Sequence, residues 1–233
     1  LTANHVHRKF EDRPSFIQET ITFDAYKNDG WGLSKLAFRK LYDIIDDNSR
    51  PSFRIIEFGS GISTKFLIDC ALKMIPKQIE ILSFDNDPEY MFKSSPEYYF
   101  FNLLLRKLIE CDDDAYELMF ENKHYSRNLM HDKNSPLTTR QKNNFYDIKS
   151  RDIHGHYDLM ILDGPNGNGR NIAFLHMIGH LKSGSYVFID DFTHYDFIER
   201  FKSIYMADEM FRHEGGMHNQ WDNGGDFIIY KLV

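Results

Sequence analysis

The feature that most constrains this chain is an apolar run, a glycine turn and a helical pattern in immediate succession over residues 54–67. Arg54-Ile55-Ile56-Glu57-Phe58 leads into Gly59-Ser60-Gly61, and Ile62-Ser63-Thr64-Lys65-Phe66-Leu67 follows. A short apolar run bounded by turn residues reads as a buried strand, and the amphipathic stretch after it reads as a helix. Two glycines two apart make a tight connection whose backbone can approach a ligand closely, because glycine lacks a Cβ and tolerates φ > 0.

The same unit recurs along the chain. Glu80-Ile81-Leu82-Ser83-Phe84-Asp85 reads as a second strand, and Asp85-Asn86-Asp87-Pro88 turns the chain toward another helix with Pro88 in its first turn. Residues 157–163 and 186–190 read as buried strands ending in acids, residues 172–181 and 195–206 as helices, and residues 226–233 as a final strand. Before the first strand, Leu33, Leu36, Ala37, Leu41, Ile44 and Ile45 repeat at helical spacing, with Ser34 placed to cap that helix. Residues 98–110 read as helical, with 115–120 continuing them. The sheet needs a third strand within about 97–143, yet no run there marks it out. Strands alternating with helices predict a parallel sheet covered on both faces. Glu57, Asp85, Asp163 and Asp190 each follow or end an apolar run, which predicts that they share the rim where such sheets bind ligands.

Which ligand the glycine turn serves depends on its neighbours. The dinucleotide fingerprint has a third glycine three residues after the second, and Thr64 stands there. An acid two residues before Gly-x-Gly, as in Glu57-Phe58-Gly59-Ser60-Gly61, instead resembles the first motif of class I S-adenosylmethionine-dependent methyltransferases. The resemblance covers roughly residues 53–90 and 157–233. It implies a doubly wound, Rossmann-like α/β fold with a seven-stranded sheet, mostly parallel, with an antiparallel C-terminal strand. It also implies S-adenosylmethionine as cofactor. Glu57 would face the methionine portion, the turn Gly59, Ser60, Gly61, Ser63 and Thr64 would lie along the cofactor, and Asp85 would take the ribose diol, with Asp87 as the alternate. A carboxylate has two acceptor oxygens and can accept from a vicinal diol.

Asp163, Asp190 and Asp191 lie at the other end of the rim. Converging carboxylates repel one another and stay ionised most readily around a cation, and their oxygens suit Mg²⁺ or another hard divalent ion. Here the chain resembles the metal-dependent small-molecule and sugar O-methyltransferases. That resemblance implies Asp163, Asp190 and Asp191 as metal ligands and a metal-bound hydroxyl of lowered pKa; His194, three residues after Asp191, suits the proton acceptor, and without a metal His194 or Asp163 would take that role. A metal-independent class I methyltransferase acting on oxygen or nitrogen, a nucleotide-binding Rossmann protein without transferase activity, and a non-catalytic partner that kept the fold all stay open. Arg170 suits an acidic group on a substrate or a plain surface position. His154 and His156 are spaced like metal ligands but read better as a solvated turn.

Totals narrow the partners. The 233 residues suit a single domain, with a helical lead-in over 1–50 and an insertion or lid-like segment over about 91–150. Net charge is −7 without a basic block, which argues against nucleic acid. No apolar segment approaches the roughly 20 residues of a membrane span, and residues 1–10 lack a secretory pattern. Cys70 and Cys111 read as reduced thiols, which points to the cytoplasm. The expected partner is a small-molecule acceptor, including a sugar, without nucleic acid or membrane; a homo-oligomer is left open.

Overall fold

The computed structural model describes residues 21–27, 32–47, 51–74, 77–89, 100–110, 144–165, 170, 172–177, 179–194, 206–215 and 221–233. A 3-10 turn, Phe23–Tyr26, precedes helix α1, Lys35–Asp47. Ser34 Oγ accepts from the Ala37 amide at 3.3 Å, satisfying one of the helix's orphan donors, as its position predicts. Strand β1, Ser52–Phe58, helix α2, Ile62–Lys73, and strand β2, Gln78–Asp85, then form the first crossover unit.

Strand β3, Phe101–Leu105, pairs in parallel with β2 from Ile81↔Phe101 to Asp85↔Leu105. Strands β4, Leu108–Glu110, and β5, Asn144–Tyr146, form a separate two-stranded antiparallel ribbon. This corrects the helical reading of residues 98–110. Leu, Arg and Lys are good helix formers, but the backbone groups of 101–105 complete the exposed ladder of β2, and that tertiary pairing overrides local preference. The sought third strand is therefore β3. The expected helices after Asp87, over 115–120 and over 195–205 lie outside the described residues.

The second half supplies β6, Leu159–Leu162, the short helix α3, Ile172–Met177, β7, Tyr186–Asp190, β8, Ala207–Glu214, and β9, Asp226–Leu232. The seven-stranded sheet runs β3-β2-β1-β6-β7-β9-β8. All neighbours from β3 to β7 are parallel, and β9 lies antiparallel between β7 and β8. This is the doubly wound α/β architecture with its antiparallel C-terminal strand. Strand order reverses between β1 and β6, so the switch-point crevice opens above those two strands.

Side chains alternate across the sheet with period two. Phe53, Ile55, Ile79, Ile81, Leu159 and Ile161 pack on the face covered by α1 and α2. Ile56, Phe58, Leu82, Phe84, Met160 and Leu162 pack on the other, with Phe145, Tyr146 and Phe174. Burying both faces explains why these strands read as nearly continuous apolar runs. The same alternation places Glu57 with Phe53 and Ile55, beneath α2, and the register sets it opposite Ser83 of β2. Among the described residues no helix is long and apolar enough to cross a membrane.

Candidate functional site

At the end of β1 the backbone turns sharply at Gly59, whose φ is +98°. A Cβ on Gly59 would lie 2.7 Å from the Gly164 nitrogen and 2.9 Å from the Asp163 carbonyl carbon. Both are backbone atoms, so this glycine is required by the protein itself: the turn after β1 rests directly on the turn after β6. Gly61 differs. Its φ of 166° is ordinary extended backbone, and among the described residues nothing lies within 4 Å of a Cβ built there. Among the described residues its outward side is open, which leaves the backbone accessible to a ligand.

Glu57 organises this turn from below. It is fully buried, and its Oε1 accepts from Ser63 Oγ at 2.6 Å while Oε2 accepts from Thr64 Oγ1 at 2.5 Å and Ser83 Oγ at 2.6 Å. Because Thr64 gives its proton to Glu57, its oxygen is left to accept from the Gly61 amide and from Ser60 Oγ, both at 3.0 Å. An uncompensated buried carboxylate costs several kcal/mol, and three hydroxyl donors offset much of that. Burial still dominates and pushes Glu57 up to about 7. Glu57, Ser63 and Thr64, expected along the cofactor, thus form a buried network beneath the turn. Alternation puts Glu57 under α2, where the first-turn hydroxyls turn inward to meet it. Of the predicted turn residues, Gly61 presents an open side, and Ser60 joins the turn to the next strand.

That link runs to Asp85. Its Oδ2 accepts from the Ser60 amide and its Oδ1 from the Asp87 amide, each at 2.7 Å. Burial raises the Asp85 carboxyl above the usual range, opposed by these backbone donors. Each oxygen keeps a further lone pair, so the carboxylate is fixed beside the glycine turn with acceptor capacity to spare. Asp87 is engaged differently: its Oδ1 caps its own turn by accepting from the Glu89 amide at 2.8 Å. Asp85 is therefore the better placed of the two.

Across the crevice, the Asp163 and Gly164 amides both donate to the Phe58 carbonyl, at 2.9 and 2.7 Å. Asp163 keeps 21 % of its side chain exposed. Burial holds the Asp163 and Asp190 carboxyls above the ordinary carboxylate range, Asp163 at about 7; Asp191 adds to both, Asp163 raises Asp190 further, and Arg170 pulls each of them down. Asp191 follows β7 in left-handed backbone, φ 54°, a conformation that Asp adopts more readily than most residues. Its amide donates to the Asp226 carbonyl at 2.6 Å.

Arg170 has a place that its sequence context did not reveal. It is 1 % exposed, and it donates to the carbonyls of Pro165 at 3.0 Å, Asp190 at 3.1 Å and Asp163 at 2.6 Å, with Asp163 Oδ1 at 4.0 Å. It is neither a surface residue nor a substrate clamp. It ties the ends of β6 and β7 together and places a fixed positive charge behind the acids. The three carbonyls come from positions 163, 165 and 190, so only the fold assembles them.

These contacts bear on the expected metal. Among the described residues no group of three or more His, Cys, Asp or Glu side chains is arranged to hold an ion. The Arg170 guanidinium, 4.0 Å from Asp163 Oδ1, already supplies a cation beside the acids. As they stand, Asp163, Asp190 and Asp191 do not form a donor set for a divalent ion. The backbone of His194 ends a 3-10 turn, Phe192–His194, directly after β7; its side chain lies outside the described residues.

No protein-family model and no curated protein sequence matches the chain. Solved structures are similar in fold. CmcI is 14 % identical, with 84 % of this chain and 70 % of that one covered and a TM-score of 0.44. Fibrillarin from Aeropyrum pernix, in complex with S-adenosyl-L-methionine, is 14 % identical over 89 % and 76 %, with a TM-score of 0.49. Precorrin-6y C5,15-methyltransferase from Geobacter metallireducens is 11 % identical over 87 % and 90 %, with a TM-score of 0.46. At such identities and scores the likeness carries no statement about activity, which has to be read from the site's own residues.

Proposed function

We propose that this chain is an S-adenosylmethionine-dependent methyltransferase acting on a hydroxyl of a small molecule, with a sugar or other neutral polyol as the favoured acceptor class. The observation that carries this reading is Asp85, pinned by the Ser60 amide beside the open side of Gly61 at the switch-point crevice. A carboxylate there suits a vicinal diol, and the open glycine lets the backbone run alongside the rest of a nucleoside-bearing molecule. When bound, the donor supplies an electrophilic methyl group on sulfonium.

The protein's own part is to orient and to accept a proton. Asp85 fixes the nucleoside end, and the Glu57 hydroxyl network fixes the turn. At the other end Asp163, part-exposed and held by burial at about 7, is the carboxylate to take a proton from the acceptor hydroxyl. Arg170 stabilises the resulting charge distribution without meeting the substrate. His194, placed after β7 on the same rim, is the alternative base. An acidic rim accepts hydrogen bonds from hydroxyls and repels phosphate, which favours a polyol over nucleic acid.

The reading is metal-independent, because the fixed Arg170 guanidinium already places a positive charge beside Asp163, where an ion would meet it. Isothermal titration calorimetry with S-adenosylhomocysteine and with NAD tests the donor. Binding of the homocysteine nucleoside is expected, and binding of NAD alone overturns the proposal. EDTA followed by Mg²⁺ in a transfer assay tests the metal: activity should be unchanged, and a loss restored by Mg²⁺ would return Asp163, Asp190 and Asp191 to a ligand role.

A further inference from the structure

Asp85 is the last residue of β2, and its main chain is held from both sides. On the inner side β1 and its turn supply the hold: the Gly59 amide donates to the Phe84 carbonyl at 2.9 Å and the Ser60 amide to Asp85 Oδ2 at 2.7 Å. On the outer side the Asp85 carbonyl accepts from the Arg106 amide at 2.7 Å. Arg106 lies one residue beyond β3, and among the described strands β3 is the outermost on that side of the sheet. Fraying ends are the least stable parts of a fold, so Arg106 needs a hold that no further strand provides.

Its own side chain gives that hold. Nε donates to Asp152 Oδ2 at 2.9 Å and Nη2 to Asp152 Oδ1 at 2.7 Å, a two-pronged pairing that fixes direction as well as distance. The Asp152 side chain is 6 % exposed, and its Oδ2 also accepts from the Lys149 amide at 2.9 Å. The Arg106 hydrogen bonds are the first cause that holds the Asp152 carboxyl below the usual range. The next residue, Ile153, is buried in the core with Phe84 and Tyr146, so the acid is anchored to the body of the protein. An exposed ion pair would hold little, but a guanidinium fork on a nearly buried carboxylate is costly to open. Arg106 thus meets β2 through its main chain and the segment after β5 through its side chain.

We infer that Arg106, anchored on Asp152, is a positioning residue for the Asp85 carboxylate and, through it, for the nucleoside diol of the methyl donor. This rests on the donor proposed above. Arg106 does not meet the ligand. Its fork keeps the amide on the Asp85 carbonyl, which is the outer hold on the end of β2. Without the fork, Asp85 is held from β1 and from its own turn alone. A binding group has to stay within about 0.5 Å of its productive position, and a carboxylate that must meet two hydroxyls at once loses affinity when its strand end shifts.

Calorimetry with S-adenosylhomocysteine on the wild type, Arg106→Ala, Asp85→Asn and the double variant tests the inference. Arg106→Ala should weaken binding about tenfold, the equivalent of one hydrogen bond. In the Asp85→Asn background the same substitution should change affinity by less than about twofold, because the carboxylate it positions is gone. Arg106→Lys keeps the charge and loses the fork, so it gives the same comparison should the alanine variant not fold. Equal affinity in the wild type and the Arg106 variant overturns the inference and leaves the donor reading standing. Equal losses in the two backgrounds also overturn it, since Arg106 would then serve the fold or another part of the site. A wild type that does not bind the nucleoside overturns both readings.

Discussion

The two ends of the rim solve the burial of acid in opposite ways. Under the β1 turn, Glu57 is satisfied by three neutral hydroxyls and Asp85 by backbone amides, with no cation in contact. Above β6 and β7, the Arg170 guanidinium donates to the main-chain carbonyls of Asp163 and Asp190 and leaves the Asp163 side chain part-exposed. The first arrangement is rigid, because each carboxylate oxygen is held by a donor from a strand end or a helix start. In the second the cation holds the backbone and the acid keeps access to the crevice. Under the proposed methyltransferase reading, the first suits holding one reactant still and the second suits deprotonating the other.

Removing Arg170 should break the comparison most severely. Arg170→Ala leaves three carbonyls without a donor and two acids without their cation, and a loss of about 3–5 kcal/mol in urea denaturation is expected. Arg170→Lys should recover little of it, since a point charge cannot span three carbonyls. A loss below about 1 kcal/mol for the alanine variant would show that the acids do not depend on it.

The glycines sharpen the contrast within the rigid end. Gly59→Ala forces a methyl into the Gly164 backbone at positive φ and should cost about 2–4 kcal/mol. Gly61→Ala should cost less than about 1 kcal/mol in stability and act instead on S-adenosylhomocysteine affinity. Equal destabilisation by the two, measured in the same denaturant series, would remove the distinction between a glycine the protein needs and one its ligand needs.

A smaller effect separates the ends by pH. Glu57 ionises at about 7 in the fold against 4.5 unperturbed, so the native state holds a proton that the unfolded chain has released. The stabilising contribution of that proton is complete below about pH 4.5 and is lost as pH rises through about 7, by on the order of 3 kcal/mol. Glu57→Gln should flatten this part of the stability profile. An unchanged slope would mean that the hydroxyls hold Glu57 ionised throughout.

Much of this was legible in the sequence. Strands β1, β2, β6, β7 and β9 are apolar runs buried on both faces, and five such runs with a glycine turn leave few folds available. Asp85 and Asp163 could be named because each closes such a run. Strand β3 was hidden because Leu-rich residues favour a helix locally and only pairing with β2 makes them a strand. Strand β5 has three residues, too few to show a period, so it went unnoticed. Glu57 was assigned to the ligand through the resemblance of Glu57-Phe58-Gly59-Ser60-Gly61 to the methyltransferase motif; counting alternation from Phe53 places its side chain beneath α2. Arg170 carried no signal, since its partners are main-chain oxygens from two separate strand ends.

One carbonyl, that of Phe58, receives the amides of both Asp163 and Gly164. Spreading the crevice would break two hydrogen bonds at once and pull Gly59 off Gly164, so the sheet cannot serve as a hinge. Exchange of the Asp163 and Gly164 amides with deuterium should then require global unfolding, and would be the slowest along this rim.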